Sequence, residues 1–320
     1  MLAAILLLAL TTDNFLSPRN LRNVGTQVPV NAILAAGMTV VILSGGIDLS
    51  VGSVHALAGV AAARLLVDPG LNRQFGDGVL PVAVAGGIAV GLALGAVNGG
   101  AVAGIGIPPF IVTLAMMRIA RGLAKHVTDG VPVGLQGPEN PLSEAINGRW
   151  LQFRELGLGY AGGIVPNAFL IAVAVTALLA LLLGRTRWGR QVYAVGGSER
   201  TAHLSGVPVR RLRLSAYVLM GALAGLTGAM EASSLQSGSP VTGEGYELNA
   251  IAAVVVGGAR LTGGQGSVVA SFCGAVLVIG LMNNALNLRN VPPFWQEVAT
   301  GAIILSVALV DRFTRGKQDA

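Results

Sequence analysis

The sequence predicts an all-α, polytopic membrane protein with about ten transmembrane helices, some of them short or broken. Three observations lead there. Only 11% of the residues are charged and 53% are hydrophobic, whereas a soluble domain carries about 25% charged residues. Apolar runs near the roughly 20 residues that cross a bilayer recur along the chain. Between two of them, Gly184 to Arg213 holds seven arginines against one acid, Glu199, so its net charge of +6 equals that of the whole chain. Arg and Lys collect in cytoplasmic loops, so 184–213 is expected on the cytoplasmic side and orients every other span.

Because the basic excess is confined to that loop, membrane orientation explains it, and no nucleic-acid partner is expected. The single cysteine, Cys273, permits no disulfide within the chain and no cysteine metal cluster. His55, His126 and His203 lie far apart and form no HExxH pair, so neither a metal nor a cofactor is expected.

The expected spans are 1–12, 26–45, 49–66, 79–99, 108–125, 164–184, 212–233, 246–258, 267–287 and 294–311, in a single domain covering 1–320. Residues 1–10, MLAAILLLAL, lack a basic start and a small-x-small cleavage site, so they are read as a short first span rather than a signal peptide. Counting outward from 184–213 puts both termini in the cytoplasm and makes 126–163 the longest external connection. Arg118, Arg121 and Lys125, near the external end of the fifth span, run against this orientation.

Two spans are interrupted. SGGIDLSVGS (44–53) breaks an apolar run with glycines, serines and Asp48. Residues 246–258 give about 20 Å of helix against a hydrocarbon core of about 30 Å. Irregular backbone at membrane depth is tolerated where protein buries it or where it lines a wet cavity, so both are candidate broken helices facing a pathway. Gly87, Gly91, Gly95 and Gly99 fall on one helix face, and Gly221, Gly225 and Gly228 form a similar set. Small residues so spaced allow close helix crossing, within one subunit or between two. GGIDLSVGSV (45–54) and GGARLTGGQGSV (257–268) echo each other weakly.

Few residues carry chemistry. Asp48 is an ionisable group at membrane depth. It is expected to cap the N–H groups of the next helix, or else to contact a polar solute or a proton. TGGQG (262–266) is a turn, since no GxxxxGK[ST] is present to make a phosphate loop. Glu244, Tyr246 and Glu247 sit at an external membrane edge, where acids favour a helix start or mark a pathway entrance or docking edge. No oriented nucleophile accompanies them, so no catalytic residue is expected. Asn98, Asn283, Asn284 and Asn287 are amides in or beside spans, suited to interhelical hydrogen bonds or to solute hydroxyls. Trp150, Trp188 and Trp295 fall near span ends, as an interfacial belt does. Within 184–213, Ser198 caps a short helix that begins at Glu199 and Arg200 and ends at Gly206 and Pro208.

VVILSGGIDLSVGSV (40–54), VYAVGGSERTAHLSGVPVRRLRLSAYVLMGALAGLTGAM (192–230) and GEGYELNAIAAVVVGGARLTGGQGSVVASFCGAVLVIGLMNNALNL (243–288) resemble the permease subunits of ribose- and xylose-type ABC importers. The resemblance covers nearly the whole chain and departs from the family mainly at the short N-terminus. It implies a multi-pass permease of the bacterial inner membrane, itself neither an enzyme nor an ATP-binding protein. Its implied partners are an ABC ATPase below, a periplasmic or extracellular sugar-binding protein above, a second permease copy (identical or not) and membrane lipid. The loop helix with Glu199, Arg200, Ala202, His203 and Gly206 would then couple to the ATPase. Asp48, Asn98, Glu244, Glu247, Asn283 and Asn284 are candidate pathway residues. The competing expectation is a secondary transporter driven by an ion gradient, which broken helices and Asp48 also suit.

Overall fold

The computed structural model describes residues 12, 14–134, 143–292, 294–302 and 305–306, with 143–150 described in backbone only. The expected span 1–12 lies almost wholly outside them. The described helices are α1 (Pro18–Leu43), α2 (Val51–Val67), α3 (Pro69–Phe75), α4 (Val79–Gly100), α5 (Pro109–Val127), α6 (Ser143–Leu158), α7 (Asn167–Arg185), α8 (Arg187–Gly197), α9 (Glu199–Leu204), α10 (Val209–Leu235), α11 (Tyr246–Val256) and α12 (Val268–Ala275). A π-helical turn, Ala101–Ile105, prolongs α4, and another, Val276–Met282, carries α12 into Asn283–Leu288. Residues 294–302 are also helical. Among the described residues strand is limited to two-residue pieces: β1 (Val133–Gly134) pairs with β4 (Ser237–Gly238), and β2 (Tyr160–Ala161) with β3 (Val165–Pro166). The fold is thus all-α, and among the described residues five helices are long and apolar enough to cross a membrane, with α2 and α11 apolar but shorter.

Each expected span from the second to the ninth meets a described helix, with shifted ends. The largest shift is at α1, which starts at Pro18 rather than residue 26 because Ser17 accepts from Asn20 N and Pro18 occupies the first helical position. The expected connection 126–163 contains α6. That helix packs on α10 where Ser233 Oγ donates to Phe153 O at 2.6 Å and accepts from Gly157 N at 2.9 Å. The 184–213 loop holds two helices rather than one, because Thr186 caps a preceding amphipathic helix, α8, through Gly189 N.

α4 and α10 form the tightest crossing. Gly91 and Gly221 face each other so closely that a Cβ on either would strike the other's backbone carbonyl. Gly95 sits on Tyr217, and Gly87 on Gly225. Both glycine faces are therefore used inside one subunit. α2 fills the other side of α10, with Gly59 against the Gly228 backbone. α1 is buried along most of its length despite Pro29, between α10, α11, α12 and α7. Asn20 and Asn284 tie its start to the end of α12 through two reciprocal amide bonds of 2.7 and 2.9 Å.

Candidate functional site

Two polar regions stand out in this apolar fold, one at the arginine-rich end and one at mid-depth.

At the arginine-rich end, Ser198 caps α9 through Thr201 N, as the sequence predicts. Gly206 closes it at φ +77°, a left-handed conformation where any side chain would be strained. Its surroundings are open, so conformation rather than space requires glycine there. Ala202 faces inward, 4% exposed, while Glu199, Arg200, His203 and Leu204 face outward, Leu204 at 78%. Arg213 of α10 clasps Glu199 with two bonds of 2.9 and 2.7 Å, and its Nε makes a long 3.5 Å contact with Ser44 O. Between this unit and the π-helical turn 101–105 lies a groove of about 880 Å³. Its polar lining is mostly basic: Arg200, His203, Arg210, Arg211 and Arg213 against Glu199.

The stretch 43–50 rises from that end to the start of α2. Two of its carbonyls are bonded from distant residues: Leu43 O by Gly264 N at 3.2 Å, and Ile47 O by Tyr217 Oη at 3.1 Å. The first bond ties the end of α1, just before the 45–54 stretch, to the echoing stretch 257–268. Burial pushes the nearby Tyr193 phenol above its ordinary value, so it remains a donor to Gly266 O. Asp48 accepts from Ser50 N at 2.9 Å and from Ser50 Oγ at 2.6 Å, a local turn just before α2; it does not cap the helix as expected, since α2 has no side-chain cap bond. Asn98 of α4 donates to the same Ser50 hydroxyl at 2.9 Å.

α2 begins near the middle of α10, between the levels of Tyr217, which reaches Ile47, and Thr227, which meets His55. The segment 239–245 returns from the far end of α10 to the same depth. A Cβ on Gly243 would lie 2.5 Å from Gly52 O, and one on Gly52 would lie 2.7 Å from Glu247 Oε2. The N-termini of α2 and α11 thus converge at mid-depth, and glycine at both positions lets the backbones touch. Arg121 of α5 holds the returning segment, donating to Pro240 O and Thr242 O at 2.7 Å each, with Glu244 and Glu247 as neighbouring charges.

One turn away, His55 Nε2 lies 2.6 Å from Glu231 Oε2, an ion-pair contact rather than a linear hydrogen bond. Tyr246 Oη donates to Glu231 Oε1 at 2.8 Å. The Thr227 hydroxyl is committed to Ala224 O, which leaves its oxygen to accept from His55 Nδ1 at 3.0 Å. The network joins α2, α10 and α11.

The sequence-predicted site residues therefore fall into separate groups. Glu199, Arg200, Ala202, His203 and Gly206 come together on α9. Asp48 joins Asn98 through Ser50. Glu244 and Glu247 join Arg121. Asn284 pairs with Asn20, and Asn283 lies beside it with its buried Oδ1 unpartnered. Sequence reasoning missed the roles of His55, Arg121, Glu231 and Arg213. For the first three, the legible signal was an ionisable residue inside an apolar run.

The sequence is similar to known proteins. Residues 20–308 match the family model described as branched-chain amino acid transport system / permease component. The chain is 40% identical to the ribose import permease protein RbsC of Escherichia coli (strain K12) over 97% of its length and 91% of the relative's. It is 41% identical to RbsC of Bacillus subtilis (strain 168), over 96% and 89%. It is 36% identical to the L-arabinose ABC transporter permease protein AraH of Azospirillum brasilense, over 98% and 86%. No solved structure matches. With a family match over nearly all of its length and an all-α fold of membrane-length helices, the chain belongs to the branched-chain amino acid transport system / permease component family and is a multi-pass membrane transport subunit, not an enzyme.

Proposed function

We propose that this chain is the permease subunit of an ABC importer for a monosaccharide of the ribose or arabinose class, in the bacterial inner membrane. The observation that carries the reading is the pairing of near-full-length likeness to ribose and arabinose permeases with an outward-facing helix, α9, beside a basic groove. Ribose and arabinose appear in the relatives' names; the xylose expected beside ribose does not. An ABC permease works with an ATPase and a substrate-binding protein. Here the ATPase docks an acidic surface on the arginine-rich end, against Glu199, Arg200 and His203, with Ala202 anchoring and Gly206 closing the helix. The sugar-binding protein docks at the opposite end. The ion-gradient alternative gains no support from the relatives.

The translocation pathway runs along α5. Arg118 is exposed halfway along this helix, and placing a charged group in hydrocarbon costs about 2.5–3.5 kcal/mol or more. That face is better supported as lining water or a second permease copy, identical or not, than as facing lipid. Glu244 and Glu247 beside Arg121 border the same route. Asp48, Asn98 and Asn284 already bond to protein groups and border it as supports, and Asn283 has an oxygen to offer. ATP shifts the permease between two states only through unequal affinity for them. The sugar needs weak contacts within the membrane, since the binding protein supplies affinity.

The test is ribose uptake into proteoliposomes holding this chain, its ATPase and a ribose-loaded binding protein. Uptake that requires all three and ATP, and that is lost in Gly206→Trp with assembly intact, supports the reading. Uptake by this chain alone under a proton or sodium gradient overturns it.

A further inference from the structure

The two walls of the basic groove are each wired to one piece of irregular backbone, 43–50. From the wall made by α9, Glu199 is clasped by Arg213, whose guanidinium also reaches Ser44 O and lies against Gly45. From the wall made by the π-helical end of α4, Asn98 donates to Ser50 Oγ, which in turn donates to Asp48. Between these attachments Tyr217, fully buried on α10, holds Ile47 O and packs on Gly46. The stretch ends at Gly52, where α2 touches Gly243 and Glu247 at mid-depth.

We infer that 43–50 is a strap carrying displacement from the groove to the mid-depth crossing, with Arg213 as the positioning residue that engages it. This rests on the ABC reading, because an ATPase in the groove supplies the displacement. The physical reason is directional. An exposed Glu–Arg pair contributes little stability by itself. Here the same guanidinium also holds a carbonyl of the strap, so moving α9 moves Ser44. The strap is pinned at Ser44, Ile47 and Ser50 by bonds to Arg213, Tyr217 and Asn98, which limits how far it can slacken. The strap therefore passes it to the first turn of α2 and to the Gly52–Gly243 contact. Arg suits the role because its planar fork grips the carboxylate through two nitrogens while Nε remains for the carbonyl.

The experiment uses the assembled permease–ATPase complex with Cys273→Ala and a reporter, Leu49→Cys, on the half-buried strap. Three readouts are taken: co-purification of the ATPase, ATP hydrolysis, and the rate of maleimide labelling at position 49 with and without a non-hydrolysable ATP analogue. With Arg213 present, the analogue is expected to change labelling about fivefold or more, the lower edge of ordinary coupling energies. Arg213→Ala should abolish that dependence even in the complexes that retain the ATPase, labelling being normalised to co-purified ATPase because Arg213 also lines the groove. Arg213→Lys, which keeps a cation and N–H donors for Glu199 and Ser44 O, should retain part of the dependence, whereas the charge exchange Glu199→Arg/Arg213→Glu, which leaves no donor for Ser44 O, should not. Nucleotide-dependent labelling that survives in Arg213→Ala overturns the inference, as does a parent complex that hydrolyses ATP with labelling unmoved. Failure of the ABC reading looks different: no ATPase co-purifies with the parent chain.

Discussion

His55 and Glu231 meet 2.6 Å apart between α2 and α10, one of them 1% and the other 15% exposed at the side chain. Tyr246 ties the first residue of α11 to the same carboxylate. Removing one member of a buried pair leaves the other charge uncompensated and costs about 3–5 kcal/mol. Glu231→Ala should therefore lower the thermal unfolding midpoint in detergent sharply. The apolar double replacement His55→Leu/Glu231→Leu should recover much of the loss. A double-variant loss equal to the sum of the losses in the two single variants would mean that the two residues stabilise independently.

The α4–α10 crossing predicts a steep size dependence at one glycine and none at another. Gly91→Leu has no room against the Gly221 backbone and should prevent recovery of a monodisperse folded protein. Gly122→Ala, with nothing within 4 Å of the added carbon, should change stability by no more than about 0.5 kcal/mol. Fluorescence-detected size exclusion and unfolding midpoints distinguish these outcomes.

Asn20 and Asn284 supply a pair for a double-mutant cycle. Interhelical side-chain hydrogen bonds in membranes average about 0.6 kcal/mol and reach about 1.7. The two reciprocal bonds should give a coupling near the upper value, read from unfolding of Asn20→Ala, Asn284→Ala and the double variant. A support role predicts that both single variants affect uptake alike. A direct solute contact at Asn284 predicts a changed concentration dependence of uptake for that variant alone.

Arg121 is the cation that holds 239–245 at mid-depth. Arg121→Gln keeps some hydrogen-bonding capacity but removes the charge facing Glu244 and Glu247. ATP-driven ribose uptake should fall about tenfold or more, a change of about 1.4 kcal/mol, with normal assembly. Arg121→Lys should retain part of it.

The helical spans were legible because apolar period and length are local properties. The α9 unit was legible because Ser198, Glu199, Gly206 and Pro208 write its start and stop in adjacent residues. α8 was not, since its cap Thr186 lay inside an arginine-rich stretch already assigned to a loop. The mid-depth crossing was half legible. SGGIDLSVGS and the short 246–258 segment announced two breaks, but nothing local says that Gly52 and Gly243 touch. His55, Glu231 and Arg121 acquire meaning only when α2, α10, α11 and α5 are placed together, with sequence separations such as the 119 residues between Arg121 and Pro240. Asp48 is intermediate: a local structural role was readable because its partner lies two positions away, but that partner precedes α2, so the expected helix cap is a turn instead.

The attachments of 43–50 also constrain the order in which the protein can be made. Ser44 and Ile47 receive their donors from residues 169 and 170 positions later, and Leu43 from Gly264. At about 5–20 residues per second of synthesis, the ribosome takes on the order of ten seconds or more to deliver those donors after residues 43–50 emerge. In that interval α1 and α2 are already present with part of the backbone between them unpaired. That backbone must wait in the headgroup region, in the water of the insertion machinery or under a chaperone, because exposed carbonyls are not tolerated in hydrocarbon. Nascent chains stopped before Val209 should accordingly remain protease-sensitive at 43–50, and chains released after Gly266 should not.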